Sequence, residues 1–383
     1  MRVVLVSRRF WPLVGGAESH MLYLAEELRR QGAEVTVLTG RQARSFPARL
    51  TVCEVPGWRL KHPRRRIWGT YRWTQALSHW LRGHADTYDV VYVSLLKHEA
   101  YAAVGAMRRV GKPIVLRAEG AGPGGDCHWL KTSLFGPRIC KRLLAADAVV
   151  ACNEGIAEEL AATGFCERQI VRIHNGVPMP PPRDDAYRQD ARQALARLDQ
   201  RLIVENGERV AVYAGRLARG KGLETLIRAW RNVTRERPNC ILWLVGDGPL
   251  RGRLVDLIHT CELRTKVVLA GRFSTAADLL AAADLFVLPT EAEAMSLAAL
   301  EAMATPLPVI LSDIAANSAL IQPEKNGLLA PVGDAGAWAE AILRLLDNET
   351  KSRRLALRAR ETVAERFSIE HTAGAHRALF SRL

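Results

Sequence analysis

The chain has 383 residues, 48% of them hydrophobic and 25% charged; this soluble-globular composition excludes a disordered, collagen-like or disulfide-stapled chain and, at about 100–200 residues per domain, points to two domains. No apolar run approaches the roughly 18 residues of a membrane span, and residues 3–6, followed at once by Arg8 and Arg9, are too short for a signal peptide's apolar region, so a cytoplasmic chain is expected. Fifty-four Lys and Arg against forty Asp and Glu leave +14, which favours anionic partners: nucleic acid, an acidic membrane face or phosphorylated small molecules.

Short β-branched runs then alternate with segments of helical spacing. Residues 3–6 predict a strand and 17–30 a helix, in which Met21, Ala25 and Leu28 form one buried stripe under a polar face carrying Glu18, Glu26 and Arg29. Strands follow at 35–38, 90–93, 114–116 and 148–151, with helices at 99–109 and 155–162. Such alternation predicts parallel βαβ units. It stops at the proline cluster of 175–182, where an extended, semi-rigid hinge is expected. After a charged helical stretch at 186–201, strands at 210–214, 241–245, 267–269, 285–288 and 309–311 predict a second open α/β layer. The expected fold class is therefore α/β, with two Rossmann-like doubly wound domains facing across a cleft at the carboxyl ends of both sheets, where such sheets bind ligands. The domains are expected at 1–176 and 177–367.

Two segments carry most of the chemistry. Residues 215–222, Gly-Arg-Leu-Ala-Arg-Gly-Lys-Gly, follow one strand and precede a helix. Glycines let backbone amides approach an anion, and Arg216 and Lys221 supply fixed charge for two phosphates. The spacing is close to that of a triphosphatase P-loop, but Gly222 stands where a Ser or Thr would ligate magnesium, so an ATPase is disfavoured. A solvated basic turn is the plainer alternative. In the second segment, 289–301, Glu293 and Glu301 flank the start of a helix near Ser296, which would turn the amides of Ala294, Met295, Ser296 and Leu297 and a positive dipole end toward an anion. One carboxylate on each side of a diphosphate suits a nucleotide sugar, whose hexose and ribose hydroxyls donate to carboxylates. An acidic helix start, with Glu291 and Glu293 favouring the dipole, is the plainer alternative for a single Glu.

In chain order, Gly15-Gly16-Ala17-Glu18, Asn175-Gly176-Val177, Gly215-Arg216-Leu217 with Lys221-Gly222, Gly246-Asp247-Gly248-Pro249, and Glu293…Glu301 running into Ala302-Met303-Ala304 resemble the retaining glycosyltransferases of family 4, which have the GT-B architecture. The likeness covers nearly the whole chain. It implies that 1–176 binds the acceptor, that 177–367 binds the nucleotide-sugar donor, and that a last helix at 368–383 crosses back onto the first domain. By the same resemblance Arg216 and Lys221 bind the donor diphosphate, Glu293 contacts the donor sugar, Glu301 holds the ribose, and the loop at Gly15 and Gly16 closes over phosphate or acceptor. The chain departs from the family pattern at Ala294-Met295-Ser296, where Gly-Phe-Gly is usual, and at Glu119, where many members carry His near the donor sugar. Glu119 is thus a candidate for that hydroxyl contact.

Breaking a sugar–phosphate bond puts negative charge on the leaving diphosphate, which fixed cations and helix amides stabilise. Arg216, Lys221 and Glu293 are the expected catalytic residues. With no Asp-x-Asp triplet in the chain, no metal and no cofactor are expected, and the resemblance implies that the leaving phosphate itself takes the acceptor's proton on the same face, with retention. Two other readings stay open: a nucleotide-sugar epimerase of the same fold, and a nucleotide- or membrane-binding module without turnover. The acceptor is expected to be a glycan, a lipid-linked intermediate or a small glycoside.

Weaker signals remain. Gly120-Ala121-Gly122-Pro123-Gly124-Gly125 fits a dinucleotide fingerprint, but Asp126-Cys127-His128-Trp129 do not promise a helix, so a loop over the acceptor pocket or a structural loop is expected. His98, at a helix start, is either a polar surface residue or an acceptor contact. Residues 58–82 hold Trp58, Trp68, Trp73 and Trp80 among Arg59, Lys61, Arg64, Arg65, Arg66 and Arg72. A face of Trp73, Leu77 and Trp80 suits either an anionic bilayer or the first sheet. Nucleic acid is not an expected partner, because no recognition module appears. The seven cysteines, odd in number and without Cys-x-x-Cys, are expected as reduced thiols.

Overall fold

The computed structural model describes residues 1–13, 15–61, 66–273 and 276–383. Two compact units result, Met1–Gly176 together with Ile369–Leu383, and Val177–Ser368.

The first unit is built on β1 (Arg2–Ser7), β2 (Glu34–Gly40), β3 (Arg49–Val52), β4 (Val55–Leu60), β5 (Val90–Ser94), β6 (Ile114–Arg117), β7 (Ala148–Ala151) and β8 (Ile170–Arg172). They form one eight-stranded sheet in the order β3-β4-β2-β1-β5-β6-β7-β8. Pairing is parallel except between β3 and β4. Runs such as Val-Val-Tyr-Val-Ser in β5 are buried throughout, as strands covered by helices on both faces must be. Around the sheet lie α1 (Gly16–Arg30), α2 (Arg66–Gly83), α3 (His98–Val110), α4 (Asp126–Thr132), α5 (Gly136–Leu143) and α6 (Glu154–Ala161).

In α1, Met21, Leu24, Ala25 and Leu28 are buried against the sheet, as its apolar stripe dictates. The β3–β4 hairpin was not expected. It turns through Cys53 and Glu54, both at positive φ (47° and 63°) without the usual glycine or asparagine. Two expectations are corrected here. Trp73 and Leu77 are fully buried and Trp80 nearly so, because α2 packs this face against α3; it is core and is closed to a bilayer. Trp58 belongs to β4, and Arg64 and Arg65 lie outside the described residues. Asp126-Cys127-His128-Trp129 do open a helix, α4, preceded at its N-cap by Gly125, which packs so tightly on Gly120 that a Cβ would lie 2.6 Å from its carbonyl oxygen. Among the described residues, no helix is long and apolar enough to cross a membrane.

The second unit carries β9 (Arg209–Ala214), β10 (Cys240–Val245), β11 (Val267–Gly271), β12 (Leu285–Leu288), β13 (Val309–Ser312) and β14 (Leu328–Ala330), all parallel, in the order β11-β10-β9-β12-β13-β14. Its helices are α7 (Asp185–Leu198), α8 (Leu223–Glu236), α9 (Arg251–Thr260), α10 (Ala277–Ala282), α11 (Leu297–Ala304), α12 (Ala315–Ser318), α13 (Ala335–Leu346) and α14 (Glu349–Arg366). The last helix, α15 (Ile369–Phe380), belongs to the first unit, where Ala373, Leu379 and Phe380 join the core of β1, β2 and α1.

After the prolines, α7 is clamped to the start of β12. The buried Asp284 carboxylate accepts from Arg188 at 2.8 Å, Arg192 at 2.7 Å and the Val210 N–H at 2.8 Å. Both sheets reverse direction once: between β1 and β5 in the first, and between β9 and β12 in the second. Open α/β sheets bind ligands outside the carboxyl ends of their strands at such reversals.

Candidate active site

At the second sheet's reversal, β9 runs into residues 215–222 and β12 into 289–296, so the two expected phosphate segments lie side by side. Backbone contacts join them: the Glu291 N–H donates to the Gly220 carbonyl at 2.8 Å and the Thr290 hydroxyl to the same oxygen at 3.2 Å. Gly222 sits at φ +63°, and a Cβ there would overlap the Pro289 carbonyl. A serine or threonine would force the loops apart, so the residue that spoils the P-loop pattern is required by packing. Across this seam Lys221 Nζ pairs with Glu293 Oε1.

Arg216 is exposed and, among the described residues, has no carboxylate within 4.0 Å. Its carbonyl is fixed by the Tyr213 hydroxyl at 3.0 Å. The turn after β10 braces the same segment: the Leu217 N–H donates to the Asp247 carbonyl at 3.1 Å, and side chains at Gly246 or Gly248 would overlap the carbonyls of Gly215 and Leu217. Burial pushes the Tyr213 phenol well up, with Glu293 adding to the effect, so the phenol stays a neutral donor.

Ser296 caps α11, its hydroxyl accepting from the Ala299 N–H at 3.3 Å. The N–H groups of Leu297 and Ala298 in this first turn have no carbonyl four residues back to bond within the helix. Ala294, Met295, Ser296 and Leu297 are all buried, and Glu301 lies half-buried one turn further along. Buried Ser312 at the end of β13 donates to the Thr290 carbonyl, and Asn317 Nδ2 holds Ser312 from behind at 2.8 Å. Sequence reasoning missed Thr290, Ser312 and Asn317; polar residues just past apolar strands were their only signal.

Gly15, Gly16 and Glu119 belong to the other unit. Gly15 caps α1 in extended backbone, and a Cβ there would lie 2.5 Å from Glu18 Oε2. Burial raises the Glu18 carboxyl, Arg9 at 3.5 Å opposes that, and Glu119 adds like charge. Glu119 accepts from the Ser94 hydroxyl at 2.8 Å and lies 3.0 Å from Arg117 Nε. Arg117 is fully buried and also bonds Asn175 Oδ1 and, at 3.4 Å, the Tyr92 hydroxyl. Burial alone would lower its guanidinium, but Tyr92, Glu119 and Cys152 hold it charged. Glu119 and Asn175 were singled out in the sequence, but their linkage through Arg117 was not legible, because the members are dispersed from 92 to 175.

Residues 196–362 match the family described as Glycosyl transferases group 1, and residues 14–179 match Glycosyltransferase Family 4. The chain is 28% identical over 282 residues, 70% of its length, to N-acetyl-alpha-D-glucosaminyl L-malate synthase of Bacillus anthracis, of which 74% is covered. Among solved structures, sucrose-phosphate synthase of Thermosynechococcus elongatus superposes over 100% of both chains with a TM-score of 0.80 at 24% identity. HepE of Anabaena, in complex with UDP-glucose, superposes over 100% of both with a TM-score of 0.81 at 18% identity. The structural likenesses establish the fold, and the matched families cover both units. The chain belongs to the family-4 glycosyltransferases, with the GT-B fold.

Proposed function

We propose that this glycosyltransferase moves a sugar from a nucleoside diphosphate donor to an acceptor hydroxyl, with retained anomeric configuration and without a metal. One observation carries the reading: the loops bearing Arg216, Lys221 and Glu293 meet at the reversal of the second sheet, with Lys221 and Glu293 in contact. Relatives point the same way, since HepE is described with UDP-glucose bound.

On donor binding, Lys221 turns part of its charge from Glu293 to the diphosphate, and Arg216 meets it from the same loop. The Leu297 and Ala298 amides add their partial charges. Glu293 then accepts from a donor-sugar hydroxyl, and Glu301 holds the ribose. As the bond from the anomeric carbon to the phosphate oxygen breaks, negative charge grows between these cations, which lowers the barrier. The acceptor oxygen bonds to the anomeric carbon on the same face, and its proton passes to the leaving phosphate oxygen.

The test is incubation with UDP-, GDP- and ADP-sugars, following free nucleoside diphosphate and sugar isomers separately. Release of diphosphate with glycoside formation is expected. Isomerisation without release would make the enzyme an epimerase. Removing a preorganised charge partner typically costs about 10²–10³ in rate, so Arg216→Ala and Lys221→Ala are expected to lower kcat by about 100-fold or more. Lys221 and Glu293 are both only part-buried at the loop surface, so solvent screening keeps the pair's contribution to stability to about 1 kcal/mol, and Lys221→Ala should melt close to wild type.

A further inference from the structure

The first sheet has its own reversal, between β1 and β5, and the residues that crown it have a distinct chemistry. β1 hands over to Arg8 and Arg9; β5 hands over to Leu95, Leu96, Lys97 and His98. Leu95 is held at φ +74°, a setting rare for a branched side chain and characteristic of functional turns. The turn is fixed from below. The Leu95 N–H donates to the Arg117 carbonyl at 3.0 Å, and the N–H groups of Leu96 and Glu119 share the buried Asp126 carboxylate at 3.4 and 2.8 Å.

On this crown, Lys97 Nζ lies 5.6 Å from the ring centre of the half-buried Trp129 and, among the described residues, has no carboxylate within 4.0 Å. Arg8 donates to the Thr70 hydroxyl at 3.0 Å. Burial, with Arg8 and Lys97 adding, lowers the pKa of His98, which favours the neutral form of its imidazole, edge-on to Trp129 at 5.3 Å. The nearby acids are engaged elsewhere: Glu119 with Arg117 and Ser94, Asp126 with two amides, Glu18 with Arg9. Glu99 is buried, and burial pushes its carboxyl up to about 7, which removes much of its charge at neutral pH. Lys97, a neutral imidazole and one indole stand together at the crest, with Arg8, bonded to Thr70, adding positive charge from the end of β1.

From this we infer that the acceptor carries an anionic group, a phosphate or a carboxylate, held by Lys97 beside Trp129 in the positive field to which Arg8 contributes. The inference rests on the transfer reading above and names the acceptor class within it. The indole face takes the carbon skeleton next to the anion, and fixed cations recognise phosphate and carboxylate by charge-assisted hydrogen bonds.

The test uses the donor identified by diphosphate release and matched acceptor pairs: glucose 6-phosphate against methyl α-glucoside, and L-malate against its dimethyl ester. The anionic member of at least one pair is expected to accelerate release over donor hydrolysis alone by tenfold or more and to become glycosylated. Which pair responds distinguishes phosphate from carboxylate. Lys97→Ala should raise the KM for that acceptor about tenfold, Lys97→Arg should restore most of it, and both should still be stabilised by nucleoside diphosphate, which shows them folded. Equal or weaker response to every anionic member, or an unchanged KM in Lys97→Ala, overturns the inference while donor hydrolysis persists. If no donor is consumed under any condition, it is the transfer reading that falls.

Discussion

At Gly222 two requirements coincide, positive φ and the absence of a side chain against Pro289, and both serve to bring Lys221 to Glu293. A methyl group there leaves every charge of the site in place yet forces the two loops apart. Gly222→Ala is therefore expected to lose about 1–3 kcal/mol of stability through backbone strain and overlap, together with most transferase activity, measured by urea denaturation and diphosphate release. Wild-type activity in that variant would mean that the loop contact is incidental. The glycines and cations of this site were legible because they are local in sequence and chemically unusual. Arg117 and Tyr92 were not, and Asn175 was read only as part of the Asn175-Gly176-Val177 motif, since a buried charge reveals its partners only once strands β5 and β6 and the chain past β8 have come together.

Among the elements, those with continuous apolar runs declared themselves: β1, β2, β5 and the central strands of the second sheet all read as strands. The β3–β4 hairpin did not, because Pro56 and Gly57 break its pattern, and β8 and β14 are only three residues long. The resemblance placed the last helix on the first domain, but the residues of its seam with α1 were not read, and that seam makes a pH prediction. His20 and His376 face each other there with ring centres 6.5 Å apart, against Tyr92, Phe380 and the charge of Arg117. Burial, with Arg117 adding, lowers His376 to about 3 and holds His20 well below its usual value. The unfolded chain then binds more protons than the folded one below about pH 6.5. Stability is present above that pH and falls toward pH 3, with a slope approaching about 1.4 kcal/mol per pH unit for each imidazole. Glu99, raised by burial, acts in the opposite sense between about pH 4.5 and 7, so the measurement is the difference between wild type and His376→Gln. Urea denaturation at pH 7 and pH 5 should show wild type losing more stability than the variant; equal losses would contradict the assignment. A second element-scale prediction concerns the α7 clamp. Asp284→Asn leaves Arg188 and Arg192 facing a neutral group, and breaking a buried pair costs about 3–5 kcal/mol. Its urea midpoint should fall accordingly, whereas a change under about 1 kcal/mol would show the clamp to be dispensable.

For the molecule as a whole, the alternation of runs and the proline segment pointed to two doubly wound layers, and the GT-B fold bears out that class. Charge gave only a direction, since +14 is compatible with many anions; it is the strand order that singles out where charge matters, by putting Arg216 and Lys221 at one reversal and Arg8 and Lys97 at the other. The central claim is that the first pair holds the donor diphosphate. It is tested most directly by a crystal structure with a bound nucleoside diphosphate. The account predicts the terminal phosphate within hydrogen-bonding distance of Arg216 and Lys221, at the amino end of α11, with Lys221 drawn away from Glu293. A diphosphate bound elsewhere, with the Lys221–Glu293 pair intact, would contradict it.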